Sequence, residues 1–324
     1  MKHTFFYGLM LLLASCGNQN HHPVLAQQPF APLTDSIDQA PENASLYYRR
    51  GQLLAQDDHQ LLAEQDFKKA WSLQPNEDHA IGVARLLIAR NSDSAVQFLE
   101  NAVQQVPQSL VLQVSLARGY QQQQQPAKAL AVCNRIIEAF PNQLDALQLK
   151  ADILAAQNKP EEALATLEQA YHYAPFDPEL AHNLAFAYAQ AKNKKVLRLC
   201  DSLIGADVAQ RHAEPYHFKG VYFANTGNKA AAMQQFDEAI RRDYNFLDAH
   251  MEKGVLLYNG QQLEAAQKTF NLAITISPAY ADAHYWLGKV AEAQGRKAAA
   301  KTHYSHAYSL DKTLTDAKSA ADRL

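Results

Sequence analysis

The chain has 324 residues, with 30 lysines and arginines against 33 aspartates and glutamates. The resulting net charge of −3 argues against nucleic acid as a partner. Hydrophobic residues make up 48% of it, and strong helix formers (Ala, Leu, Gln, Glu, Lys) dominate from Ala44 onward, so the composition favours helix throughout.

Residues 1–16 read as an export signal. Lys2 and His3 precede an apolar run from Phe5 to Ala14, which ends in Leu13-Ala14-Ser15-Cys16. The run is too short to span a bilayer comfortably. Its ending resembles the bacterial lipoprotein box, which implies cleavage before Cys16 and acylation of that cysteine as the mature N-terminus; the plainer reading is an ordinary signal peptide. Several acyl chains give lasting attachment to one leaflet. Gly17, where the enterobacterial inner-membrane retention signal has Asp, favours the outer membrane by the same resemblance, with the folded part facing the periplasm. Residues 17–43 mix Asn, Gln and His with four prolines, Pro23, Pro29, Pro32 and Pro41, and hold no sustained period. They read as a flexible tether, with at most a turn or two around Asp35 to Ala40. The adjacent His21 and His22 lack the further fixed ligands a metal needs.

From Ala44 a 34-residue period takes over. It is plainest from Leu247, where Gly254, Leu257, Ala266, Phe270, Ala273 and Pro278 hold positions 8, 11, 20, 24, 27 and 32. Copies start at Ala44, Asp78, Leu110, Leu144, Pro178, Ala213, Leu247 and Ala281, and eight of them fill residues 44–314. The second is two residues short in its inner turn, and the fifth carries one extra. This pattern resembles the tetratricopeptide repeat. The resemblance implies an all-α fold: a right-handed superhelical solenoid of eight antiparallel helix pairs, closed by a capping helix over 315–324 and holding about seventeen helices from Ala44.

Small side chains at 8, 20 and 27 let helix axes approach, and large ones at 7, 11 and 24 fill the gaps. The fifth repeat departs from this with Leu197, Asp201 and Ile204 at positions 20, 24 and 27, after a turn crowded by Lys192, Lys194 and Lys195. The stretch from Lys192 to Arg211 is therefore the expected irregularity. Leu310, Leu314, Ala317, Ala320 and Leu324 recur at helical spacing and predict the cap; polar Tyr48, Arg49 and Arg50 suit an outer face at the other end. Cys133 and Cys200 fall on second helices and read as small buried residues, too far apart in repeat number to pair.

No nucleotide-binding glycine motif and no H-E-x-x-H is present, so neither a cofactor nor a catalytic residue is expected. His250 and His284 hold position 4, a packing place. His303 and His306 share a helix face, but no neighbouring Asp, Glu or Cys completes a ligand set.

In the family, first-helix positions 2, 5, 9, 12 and 13 line the inner wall. Carried over, these are Tyr48 in the first repeat and, from the fifth onward, His182, Phe186, His217, Val221, Met251, Val255, Tyr258 and Tyr285. Two accounts fit: an apolar wall open to a peptide or amphipathic helix, or packing between adjacent first helices. Position 2 adds an acidic row, Glu179, Glu214, Asp248 and Asp282, which suits a basic partner or the first turn of each helix. Lysine at position 5 and asparagine at position 9, which grip a C-terminal aspartate in one variety of the family, are missing. Two functions follow as expectations. The first is a non-enzymatic envelope adaptor for a protein or peptide partner; the alternative is an accessory for a small ligand or glycan, or a hydrolase with a site assembled across repeats.

Overall fold

The computed structural model describes residues 22–90, 93–207 and 212–324, and among them every regular element is a helix. The signal-like segment and Cys16 lie outside the described residues. The chain divides into two compact units, one reaching Val132 and one starting at Cys133. The first holds a 3-10 turn, Pro23–Ala26, then α1 (Ala31–Gln39), α2 (Ala44–Gln56), α3 (Gln60–Leu73), α4 (Glu77–Ala89), α5 (Ser94–Gln105) and α6 (Leu110–Gln122). Helix α7 (Pro126–Ala139) runs through the division. The second holds α8 (Leu144–Ala156), α9 (Pro160–Tyr173), α10 (Pro178–Gln190), α11 (Lys195–Ala206), α12 (Glu214–Asn225) and α13 (Lys229–Arg242). It continues with α14 (Leu247–Asn259), α15 (Leu263–Ile276), α16 (Ala281–Ala293), α17 (Lys297–Leu310) and α18 (Thr315–Arg323). From Ala44 onward the described residues thus form the expected seventeen α-helices.

Seven of the eight pairs turn in the same way. The residue at position 15 takes left-handed backbone: φ is 54–59° at Asp58, Gln124, Asn158, Lys192 and Gln261, and 82° and 76° at Gly227 and Gly295. The next N–H then reaches back five residues, as Asn228 does to the Phe223 carbonyl and Arg296 to that of Ala291, both at 2.8 Å. That bond satisfies a carbonyl the helix end would leave bare. Glycine takes this conformation without strain; Lys192 and Gln261 are held in it by the pairing that follows.

Position 8 sets how closely the pair packs. A Cβ on Gly51, Gly220, Gly254 or Gly288 would lie 2.8, 2.5, 2.4 or 2.6 Å from the ring of Phe67, Phe236, Phe270 or Tyr304. These rings occupy position 24 and are buried. Where position 8 carries a methyl group, as at Ala151, position 24 gives up its ring and is Leu167.

Three regions differ from expectation or sharpen it. Residues 22–43, expected as part of a tether, are folded: Leu25, Phe30 and Ile37 are buried, and α1 lies against α2. Phe30, Thr34 and Ile37 form one apolar face at helical spacing, inside a composition otherwise polar and proline-rich. Arg50, expected on a polar outer face, is only 5% exposed. Its guanidinium donates to both Asp66 carboxylate oxygens at 2.7 and 2.8 Å and to Thr34 Oγ1 at 3.0 Å. Thr34 Oγ1 in turn donates to the Leu25 carbonyl at 2.8 Å, tying the leading segment to the first pair.

The fifth repeat is irregular by a one-residue rotation of its second helix. Val196 and Cys200 are fully buried where the period places Leu197 and Asp201 inside, and Asp201 instead faces solvent with Lys219 on it at 2.8 Å. Burial pushes the Cys200 thiol up to about 12, so it stays protonated and inert. At the far end α18 covers the last pair, with Ala317 and Ala321 buried beneath it.

Candidate functional site

The inner-wall residues separate by burial. His217, Val221 and Met251 are buried and so do not line an open surface. Val221 is taken up in the core that α12 shares with α10, His217 lies against Phe236 and Phe246, and Met251 packs with Phe270 and Leu287. His217 sits against the rings of Phe246 and Phe236 at 5.3 and 6.0 Å, with neither ring nitrogen hydrogen-bonded, and burial lowers its pKa, which keeps the imidazole neutral. Tyr48, in the first unit, packs on Phe67 and His79 at 5.6 and 5.1 Å. The acidic residues at position 2 all fall in the first turn of their helices, α10, α12, α14 and α16, where a carboxylate favours the helix end.

What remains accessible forms two aromatic patches. In one, Phe186 is 45% exposed and meets Phe218 edge-on at 5.9 Å, with His182 6.1 Å from the same ring. In the other, partly exposed Tyr258 and Tyr285 stand 5.5 and 6.1 Å from Trp286, and the Lys289 ammonium lies over that indole at 4.5 Å. Val255 is half-buried beside them. Phe218 and Trp286 both occupy position 6, which the family's inner-wall positions omit. Large aromatics recurring at that place were the available signal.

Beside Phe186 the fold opens. Position 10 is Leu53, Leu87, Ile153, Tyr222, Leu256 and Val290 in six of the eight repeats, but Gly119 in the third and Ala187 in the fifth. Ile153 and Val290 are buried at that place. Here α8 and α10 scarcely touch, whereas α10 is closely packed on α12. A cavity of about 730 Å³ results, bounded by α8, the first half of α9 and the C-terminal half of α10. Ala163, Leu164, Leu167 and Ala187 line it together with Phe186, Asp152, Glu161 and Lys192. An apolar pocket with a few polar groups beside an exposed aromatic ring is suited to take an apolar side chain out of water.

Models of the tetratricopeptide repeat match residues 86–153, 149–195, 213–246, 254–295 and 281–314. An uncharacterized protein of Sinorhizobium fredii is 27% identical over 132 residues, covering 41% of this chain and 72% of that protein. A tetratricopeptide repeat protein from Parabacteroides merdae superposes with a TM-score of 0.64 at 16% identity, over 76% of this chain and 97% of that one. PilW, a widely conserved type IV pilus biogenesis factor, does so at 0.51 with 18% identity, over 64% and 97%. At these identities the superpositions show the fold alone. The repeat matches extend over more than half of the sequence and lie within the run of helix pairs described above, so the chain belongs to the tetratricopeptide-repeat family.

Proposed function

We propose that this protein is a non-enzymatic adaptor of the bacterial envelope, acylated at Cys16, held at the outer membrane facing the periplasm, and docking a segment of a partner protein on the first helices of its later repeats. One observation carries the docking reading: the apolar cavity under Ala187, with exposed Phe186 beside it. The partner segment that fits presents an apolar side chain to the cavity and basic residues to Asp152, Glu161 and Glu179. The fold shared with PilW is consistent with envelope work. Anchoring rests on the Leu13-Ala14-Ser15-Cys16 ending.

The docking test fills the cavity. Ala187→Leu restores the side chain that Leu256 supplies in the seventh repeat, and Phe186→Ala removes the exposed ring. Each is expected to reduce capture of the envelope partner by the acylated protein about tenfold or more, with the protein still folded. Capture that survives both substitutions in folded protein removes the cavity from the reading and turns attention to a small ligand or glycan.

Anchoring is tested separately. Cys16→Ser, expressed in the native host, is expected to leave the membrane fraction after a high-salt wash, because the acyl chains provide the attachment. Retention equal to that of the unaltered protein means that something other than lipid holds it.

A further inference from the structure

The last two repeats carry histidine at position 4. The Nε2 of His250 meets the Tyr244 carbonyl at 2.8 Å, and that of His284 meets the Pro278 carbonyl at 3.1 Å. A ring nitrogen facing a carbonyl carries the proton, so both rings are the tautomer whose Nδ1 has a bare lone pair. In this the two repeats are alike, and the bond is a packing device. They part at positions 23 and 26 of the second helix, which are Thr269 and Leu272 in the seventh repeat but His303 and His306 in the eighth. The His306 and His303 rings lie 4.3 and 6.1 Å, centre to centre, from that of His284. Nδ1 of His284 is buried and has no hydrogen-bond partner.

We propose that His284, His303 and His306 form a site for a zinc-class divalent transition ion. Neutral imidazole nitrogens suit zinc, nickel and copper and do not suit magnesium or calcium. The Nε2 bond to Pro278 is the outer contact that fixes the tautomer and orientation of a ligating histidine, leaving Nδ1 to the ion. Two ligands come from one helix, three residues apart, and the third from its antiparallel partner; a water completes a tetrahedral set. Among the described residues no three histidine, cysteine or carboxylate side chains already converge on one centre. In the metal-free protein the His303 and His306 rings each lie against that of His284. Binding turns His306, which is exposed, about its side-chain torsions, so that stacking on His284 gives way to a shared ion.

The test titrates zinc chloride into the full chain carrying His21→Ala and His22→Ala, which removes the adjacent histidine pair near the start as a competing site. One saturable ion per chain is expected. At a free zinc concentration about a hundred times the dissociation constant, the thermal midpoint of the last repeats should rise by roughly 5 °C. Adding His303→Gln and His306→Gln should weaken binding about tenfold or more and abolish the rise. His250→Gln, which alters the same position one repeat earlier, should leave both intact. Cobalt(II) in place of zinc should give visible absorption lost in the same double variant. Binding that is unsaturable, or that persists undiminished without His303 and His306, overturns the assignment.

Discussion

Asp66→Ala is expected to destabilise the first pair and the segment ahead of it by about 3–5 kcal/mol. Among the described residues Asp66 is the only carboxylate bonded to the Arg50 guanidinium, which is 5% exposed, and α1 hangs on the same guanidinium through Thr34. Removing Asp66 leaves a buried cation without its counter-charge, and that dominates the cost. The pair itself is not a large net gain. Burial raises the pKa of the Asp66 carboxyl while its bonds to Arg50 pull it back down, the signature of desolvation offsetting attraction. Arg50→Met combined with Asp66→Leu should therefore recover most of the loss. The two tryptophans make this readable, since Trp71 lies in the first unit and Trp286 in the second. Urea denaturation followed by Trp71 fluorescence in a Trp286→Phe background isolates the first. A single-variant loss below about 1 kcal/mol would contradict the account.

The second large effect is expected from Gly254→Ala, a change of one methyl group. Its Cβ would lie 2.4 Å from the Phe270 ring, which is fully buried and stacked on Trp286 at 5.9 Å, so the ring has nowhere to retreat. Overpacking of this kind costs about 3 kcal/mol. The fourth repeat already shows the remedy, since there Ala151 is matched with Leu167. Phe270→Leu alone should be destabilising because it leaves a void, yet added to Gly254→Ala it should restore part of the loss. The coupling between the two changes should be on the order of 1–2 kcal/mol, favourable. Strictly additive costs, measured through Trp286, would show that positions 8 and 24 do not constrain each other.

The period of small and large residues made the helix pairs legible, because Gly254, Ala266 and Phe270 must recur wherever two helices close to the same distance. Features that depend on a single missing or shifted group were harder to read. Helix α1 presents only Phe30, Thr34 and Ile37 inside a proline-rich stretch, and the burial of Arg50 depends on Asp66, which lies on another helix. In the fifth repeat Val196 and Leu197 are both apolar, so sliding the helix by one residue preserves an amphipathic pattern; Asp201 was the sign that the slide had happened. His217, Val221 and Met251 occupy inner-wall positions, but whether such a position opens depends on how tightly successive first helices close. The cavity coincides with Ala187 in an aligned column where six of the eight repeats carry a larger residue, an absence that no motif records.

That absence has an energetic consequence for the whole second unit. An array of repeats behaves as a one-dimensional chain in which each unit is stabilised by its neighbours, and such a chain parts where the coupling is weakest. Between the fourth and fifth repeats α8 and α10 scarcely touch, and the coupling there runs through the packing of α9 on α10. Whatever fills the cavity adds coupling between the repeats on either side of it. Occupancy and cooperativity then become linked quantities: a tighter occupant makes the two stretches unfold more nearly as one, and a weaker junction lowers affinity by the work needed to hold the walls in place.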